Sequence, residues 1–154
     1  MYQKILVPLD GSERAEEILS HATRLALQFQ STVILLQVVE VKIGPEGVEF
    51  MPMAGGSVEL MVRSLEENRK LTEAYLSKVK SRLQSKGVDV KVQVAFGSVV
   101  DKIISVAQRE NVDLIAMASH GRTGAACVFY GCVAAGVLHR IDRPLLIIRS
   151  RGTD

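Results

Sequence analysis

Tryptophan is absent from the 154-residue chain, and only three tyrosines and four phenylalanines are present. So few rings argue against a stacking platform for bases or sugars. The two cysteines, Cys127 and Cys132, are too few for a disulfide framework. Neither sign of charge dominates: nineteen Lys and Arg face seventeen Asp and Glu. A formal charge of +2 makes no case for a polyanion, so nucleic acid is not an expected partner. Long apolar runs are also missing. None approaches the ~18 residues that would span a membrane. The run that opens at Lys4 is broken at Pro8, too soon for a secretion signal. The expected compartment is the cytoplasm.

What is present points to one packed domain over residues 1–154. Hydrophobic residues make up 47% of the chain and charged ones 23%, which excludes intrinsic disorder. The hydrophobic period switches repeatedly. Lys4 to Leu9 is a short apolar run stopped by Asp10-Gly11-Ser12, a buried strand. Ala15, Ile18, Leu19, Ala22, Leu25, Ala26 and Phe29 then mark one helical face, with Ser12 placed to cap it. Thr32 to Val39 is β-branched and apolar, a second strand. Residues 41–57 lose all periodicity among Gly and Pro, and read as a mobile connection. Met51 and Met53 there read either as surface methionines or as a lid.

From Val58 to Lys86 a helical stripe runs to a Gly87 cap. Val88 to Phe96 alternates apolar with polar, the pattern of an edge strand. Ser98 and Asp101 have the spacing of a capping box before the next helical face, Val100, Ile103, Ile104 and Ala107. Asp113 to Ala118 reads as a fourth strand. Ala134, Val137, Leu138 and Ile141 form a last helical face, and Leu145 to Arg149 a fifth strand. Alternation of strand and helix throughout predicts an α/β fold, a parallel sheet with helices on both faces.

In such sheets ligands bind at the carboxyl ends of the strands, where strand order reverses. Three segments fall there: Pro8 to Ser12, Gln37 to Glu40, and Ser119 to Gly124 leading on to Gly131-Cys132-Val133. Glycines at 121, 124 and 131 let backbone N–H groups approach an oxyanion, and a helix N-terminus adds positive potential. The same glycines also suit turns and close helix packing. A Walker sequence and a GxGxxG turn are both missing. Asp10 can accept ribose hydroxyls, or it can serve the following turn. His120 is a candidate phosphate donor, though single histidines are more often structural. Cys132 reads as a small packed thiol, with a redox-sensitive thiol as the alternative.

Lys4 to Ser12 (KILVPLDGS), Met117 to Gly124 (MASHGRTG), Gly131 to Val133 (GCV) and Arg143 to Arg149 (RPLLIIR) together resemble the universal stress protein family, in order and spacing. The resemblance implies an open five-stranded sheet of order 3-2-1-4-5, Rossmann-like and of the adenine nucleotide alpha hydrolase type. It implies a homodimer through the fifth strand (Leu145, Leu146, Ile147 and Ile148). It also implies the branch that binds ATP, with AMP or ADP as alternatives and magnesium as an optional companion.

That branch is marked by G-x2-G-x9-G-S/T. Here Ala118 replaces the first glycine and Cys132 the hydroxyl residue, while Gly121 and Gly131 are retained. Carried over by position, Asp10 meets the ribose and Val38 the adenine, with Pro8 and Leu9 beside them. Met117, Ala118, His120, Gly121, Gly131, Cys132 and Val133 surround the ribose and phosphates. No Walker lysine, arginine finger or catalytic base can be named. The expected role is therefore a nucleotide-dependent binding and signalling module in stress response. A slow ATPase and a nucleotide-free interaction protein of the same fold are the alternatives.

Overall fold

The computed structural model describes residues 1–41, 43–44, 47–48, 58–119 and 132–151. Five strands form one sheet: β1 (Lys4–Leu9), β2 (Thr32–Glu40), β3 (Asp89–Gly97), β4 (Leu114–Ala118) and β5 (Leu145–Ile148). All neighbours are parallel and the order is β3-β2-β1-β4-β5. The order implied by the family resemblance, 3-2-1-4-5, is the order found. Strand order reverses at β1, which pairs with β2 on one side and β4 on the other. The alternating Val88–Phe96 segment lies at an edge, as its one-sided polarity requires. Two two-residue strands, Ile43–Gly44 and Gly47–Val48, pair antiparallel within the segment read as a loop.

Five helices complete the described architecture: α1 (Glu13–Glu16), α2 (Ile18–Phe29), α3 (Val58–Gln84), α4 (Val99–Arg109) and α5 (Cys132–Arg140). Strand alternation sends side chains to two separate cores. Ile5, Val7, Leu9, Val33 and Leu35 pack with Ala15, Ile18, Leu19 and Ala22 before β2, and with Leu76 and Val79 of α3. Leu6, Ile34, Leu36, Ile115 and Met117 pack with Ile103 and Val106 of α4 and Ala134 and Val137 of α5. Both faces are covered, which is why the central strands read as continuous apolar runs.

Local signals explain the boundaries. Ser12 caps α1 by accepting from the Ala15 N–H at 3.2 Å. The helix expected from Ser12 to Phe29 is divided at Glu17, whose N–H reaches back to the Arg14 carbonyl at 3.4 Å. Three helices end in one type of turn. Gln30, Gly87 and Asn111 have φ of 54°, 89° and 50°. The next N–H in each case returns to the helix: Ser31 to the Ala26 carbonyl at 2.9 Å, Val88 to Leu83 at 3.2 Å and Val112 to Ala107 at 3.0 Å. These are left-handed caps that satisfy late carbonyls and release the chain into a strand.

The capping box expected at Ser98 does not form. Ser98 makes no side-chain cap bond to the helix. The Asp101 carboxylate instead accepts from Arg140 of α5 at 2.5 Å, and this pairing, followed by a Ser98 hydrogen bond, lowers its pKa. Aspartate is one methylene shorter than the glutamate of a capping box, and Arg140 offers a charged partner.

Helices α4 and α5 meet at Gly136, where an added Cβ would lie 2.8 Å from Val100 Cγ2. Valine has one strongly preferred rotamer in a helix and yields poorly. Gly136→Ala gains about 1 kcal/mol of helix propensity but meets an overpacking cost of about 1–3 kcal/mol. We expect a net loss, read by calorimetry as a melting temperature about 2–4 °C lower. Adding Val100→Ala should recover it, and a rise in the single variant would refute the close contact.

Candidate functional site

At the carboxyl ends of β1 and β2 the sheet opens into a crevice of about 890 Å³. Its floor is formed by Pro8 and Leu9 of β1, by Asp10 and Gly11 of the turn that follows, and by Leu36 to Glu40 of β2. One wall comes from α4 and the start of α5, with Cys132 and Val133. The other comes from α3, with Asn68, Leu71, Thr72 and Tyr75. Pro8, Leu9, Asp10, Val38, Cys132 and Val133 are thus brought to one cavity from three separate stretches of sequence.

Asp10 stands at the turn after β1. Its Oδ1 accepts from the Ser12 N–H at 2.9 Å and from the Ser12 hydroxyl at 2.5 Å. Gly11 between them has φ 83°, a conformation that favours glycine. The carboxylate therefore does serve the turn, one of the two roles open to it in the sequence. The turn also fixes where the acid sits at the lip of the crevice.

Helix α5 starts at Cys132 and has no acidic residue in its first turn. The positive end of a helix dipole favours an anion. Cys132 is disulfide-bonded, which corrects the packed thiol expected for it. The other cysteine of the sequence, Cys127, lies outside the described residues. A count of two excludes a framework but permits one bridge. In that state Cys132 has no S–H to donate.

Met117 and Ala118 lie on β4, 5% and 8% exposed. Met117 belongs to the core beneath α4 and α5, and neither residue lines the crevice. His120, Gly121 and Gly131 lie outside the described residues.

The α3 wall was not anticipated. Tyr75 donates to Glu16 Oε1 at 2.8 Å, and Arg82 donates to Glu16 Oε2 at 2.7 Å. Burial, then the Glu16 carboxylate, push the Tyr75 phenol up, so it remains a donor through neutral pH. Gln37, the first residue of the strand-end segment Gln37 to Glu40, also lines the crevice. Its Oε1 is buried with no hydrogen-bond partner among the described residues. Among those residues no group of three His, Cys, Asp or Glu could hold a metal ion. No described helix is long and apolar enough to cross a membrane.

Residues 1–149 match the model of the universal stress protein family. The chain belongs to that family. The universal stress protein MJ0577 of Methanocaldococcus jannaschii is 32% identical over 161 residues, spanning 99% of this chain and 98% of the relative. The solved structure of MJ0577 has a TM-score of 0.73 to this one at 30% identity, with 99% of both chains covered. A universal stress protein in complex with cAMP has a TM-score of 0.70 at 20% identity, covering 97% of this chain and 98% of the other. The universal stress protein from Archaeoglobus fulgidus in complex with dAMP has 0.63 at 18% identity, covering 96% and 98%. These two likenesses establish the universal stress protein fold. Of the family's marker positions, the altered ones are Ala118, ending β4, and Cys132, opening α5.

Proposed function

We propose that this universal stress protein binds an adenine nucleotide, ATP before AMP or ADP, in the strand-end crevice. The observation that carries the reading is the meeting of the Asp10 turn and the α5 N-terminus on one cavity of about 890 Å³. An acceptor for ribose hydroxyls and a backbone donor set for phosphate belong to one ligand class. Asp10 holds the ribose and Val38 borders the adenine, between Pro8 and Leu9. The start of α5 at Cys132 and Val133, with Gly121, Gly131 and His120, surrounds the phosphates. Two proteins of the same fold have been solved with cAMP and with dAMP, which supports the ligand class. With no acidic cluster beside the crevice among the described residues, magnesium would be carried chiefly by the nucleotide phosphates.

The role is binding and signalling in the cytoplasm, in response to stress. The Ser12 hydroxyl paired with Asp10 serves the turn and the helix cap, and the Tyr75 hydroxyl is held by Glu16, so ATP turnover is not expected to exceed a slow leak. The protein acts as a homodimer, joined through the outer edge of β5. A second reading, a nucleotide-free interaction protein, is favoured by the disulfide at Cys132, which removes the hydroxyl-type donor from the marker position. Mass spectrometry of small molecules released from freshly purified protein, with calorimetry of added ATP, separates the two. We expect an adenine nucleotide in the extract and saturable ATP binding. No nucleotide and no binding would leave the interaction reading.

A further inference from the structure

We infer that Gln37 is a specificity-determining residue that selects a 6-aminopurine over a 6-oxopurine. The inference rests on the nucleotide reading above. Gln37 lies near the end of β2, beside Leu9 of β1 and Val94 of β3 in register. By strand alternation it follows Val33 and Leu35 onto the face covered by α3, where Thr72 and Tyr75 also line the crevice.

Two polar groups beside it are already engaged. Asp10 Oδ1 takes both Ser12 bonds, and the Tyr75 hydroxyl donates to Glu16. Gln37 is not: its Oε1 is buried without a partner among the described residues. A buried amide oxygen with no hydrogen bond destabilises the free protein. Leucine or methionine would serve the core better at that position. The amide is therefore suited to a partner that arrives with the ligand.

The chemistry of that partner follows from the carboxamide, which presents one acceptor and two N–H donors side by side. An adenine edge offers the N6 amine as donor next to N7 as acceptor, and glutamine pairs with both at once. A 6-oxopurine offers two acceptors, O6 and N7, along the same edge. The amide can then satisfy one of them, and its own oxygen faces the other. Rotating the amide does not restore the second bond. Selection thus comes from the 6-position alone.

Calorimetric titration with ATP and with inosine triphosphate, which differ at that position, tests the assignment. Wild-type protein should bind ATP roughly ten- to a hundredfold more tightly than inosine triphosphate. Gln37→Met keeps length and shape but no hydrogen bonds, and should bring the ratio to within about threefold, with a ligand-free melting temperature no lower than wild type. Gln37→Glu, an acceptor only, should retain preference for ATP because it repels O6. A wild-type ratio near one, or an unchanged ratio in Gln37→Met, overturns the role of Gln37 while leaving nucleotide binding intact. Failure of wild-type protein to bind either triphosphate overturns the nucleotide reading, and this inference with it.

Discussion

Asp10→Ala is expected to weaken ATP binding roughly ten- to a hundredfold, the loss of a hydrogen bond to a charged group. On the proposed reading the Asp10 carboxylate, at the turn after β1, accepts the ribose hydroxyls. The substitution also dismantles a turn, since Ser12 gives both its N–H and its hydroxyl to Asp10 Oδ1. Ser12→Ala separates the two consequences. It removes the hydroxyl bond and the cap on the Ala15 N–H but keeps the acid. It should cost about 1 kcal/mol of stability and leave ATP affinity within about threefold of wild type. Calorimetric titration and thermal melts read both quantities. Equal losses of affinity in the two variants would mean that Asp10 acts through the turn and not through the ribose.

The second large effect concerns assembly. Ile147→Pro should convert a dimer of the 16.8 kDa chain to a monomer. The β5 strand ends the sheet and pairs on one side only. Carbonyls of Pro144 and Ile148 accept from the N–H groups of Ile115 on β4 and Ser119 just after it, at 3.0 and 2.8 Å. By alternation, Leu145 and Ile147 turn their N–H and C=O groups outward. All four side chains of β5 are half-buried within one chain. Beside the strand runs a groove of about 480 Å³ lined by Tyr2, Leu25, Leu145 and Leu146.

An apolar edge with free backbone groups invites a second strand, and a two-fold pairing with its own copy satisfies both. Proline at 147 removes an outward N–H and leaves the β4 ladder intact, which is where edge strands tolerate it. Equilibrium sedimentation at tens of micromolar should give twice the chain mass for wild type and the chain mass for the variant. A wild-type monomer would refute the edge pairing.

Most of the fold was legible because it rests on local pattern. The apolar runs at Lys4–Leu9 and Thr32–Val39, the alternation after Val88 and the Gly87 cap each report a period or a turn that a few neighbouring residues determine. Parts set by distant contacts were not legible. Asn68, Thr72 and Tyr75 look like ordinary positions on an amphipathic helix until α3 is laid over the strand ends. Ser98 and Asp101 carry a capping signal that Arg140, thirty-nine residues on, overrides. Gln30 takes a left-handed cap without being glycine or asparagine, so no residue type announces it.

In the candidate site, Asp10 was readable as a crevice residue because strand ends of parallel sheets are where ligands sit, whereas Val38 was singled out only by the family resemblance. Gln37 fell in the strand-end segment Gln37 to Glu40, but no role could be given to it, since a polar residue closing an apolar strand looks like the onset of solvent. Its significance lies in an unpaired atom, which only packing reveals.

The three left-handed turns at Gln30, Gly87 and Asn111 have a bearing on how such a scaffold can diversify. Each passes from helix to strand within a few residues, its backbone bonds already spoken for, so an inserted residue would break a cap and shift a strand register. At the opposite end, the chain passes from β2 to α3 and from β4 to α5 through longer connections. Doubling the length of such a loop costs only about 0.6 kcal/mol. Evolutionary novelty, and engineered novelty alike, can thus accumulate at one end of the sheet while the other end keeps the strands in register.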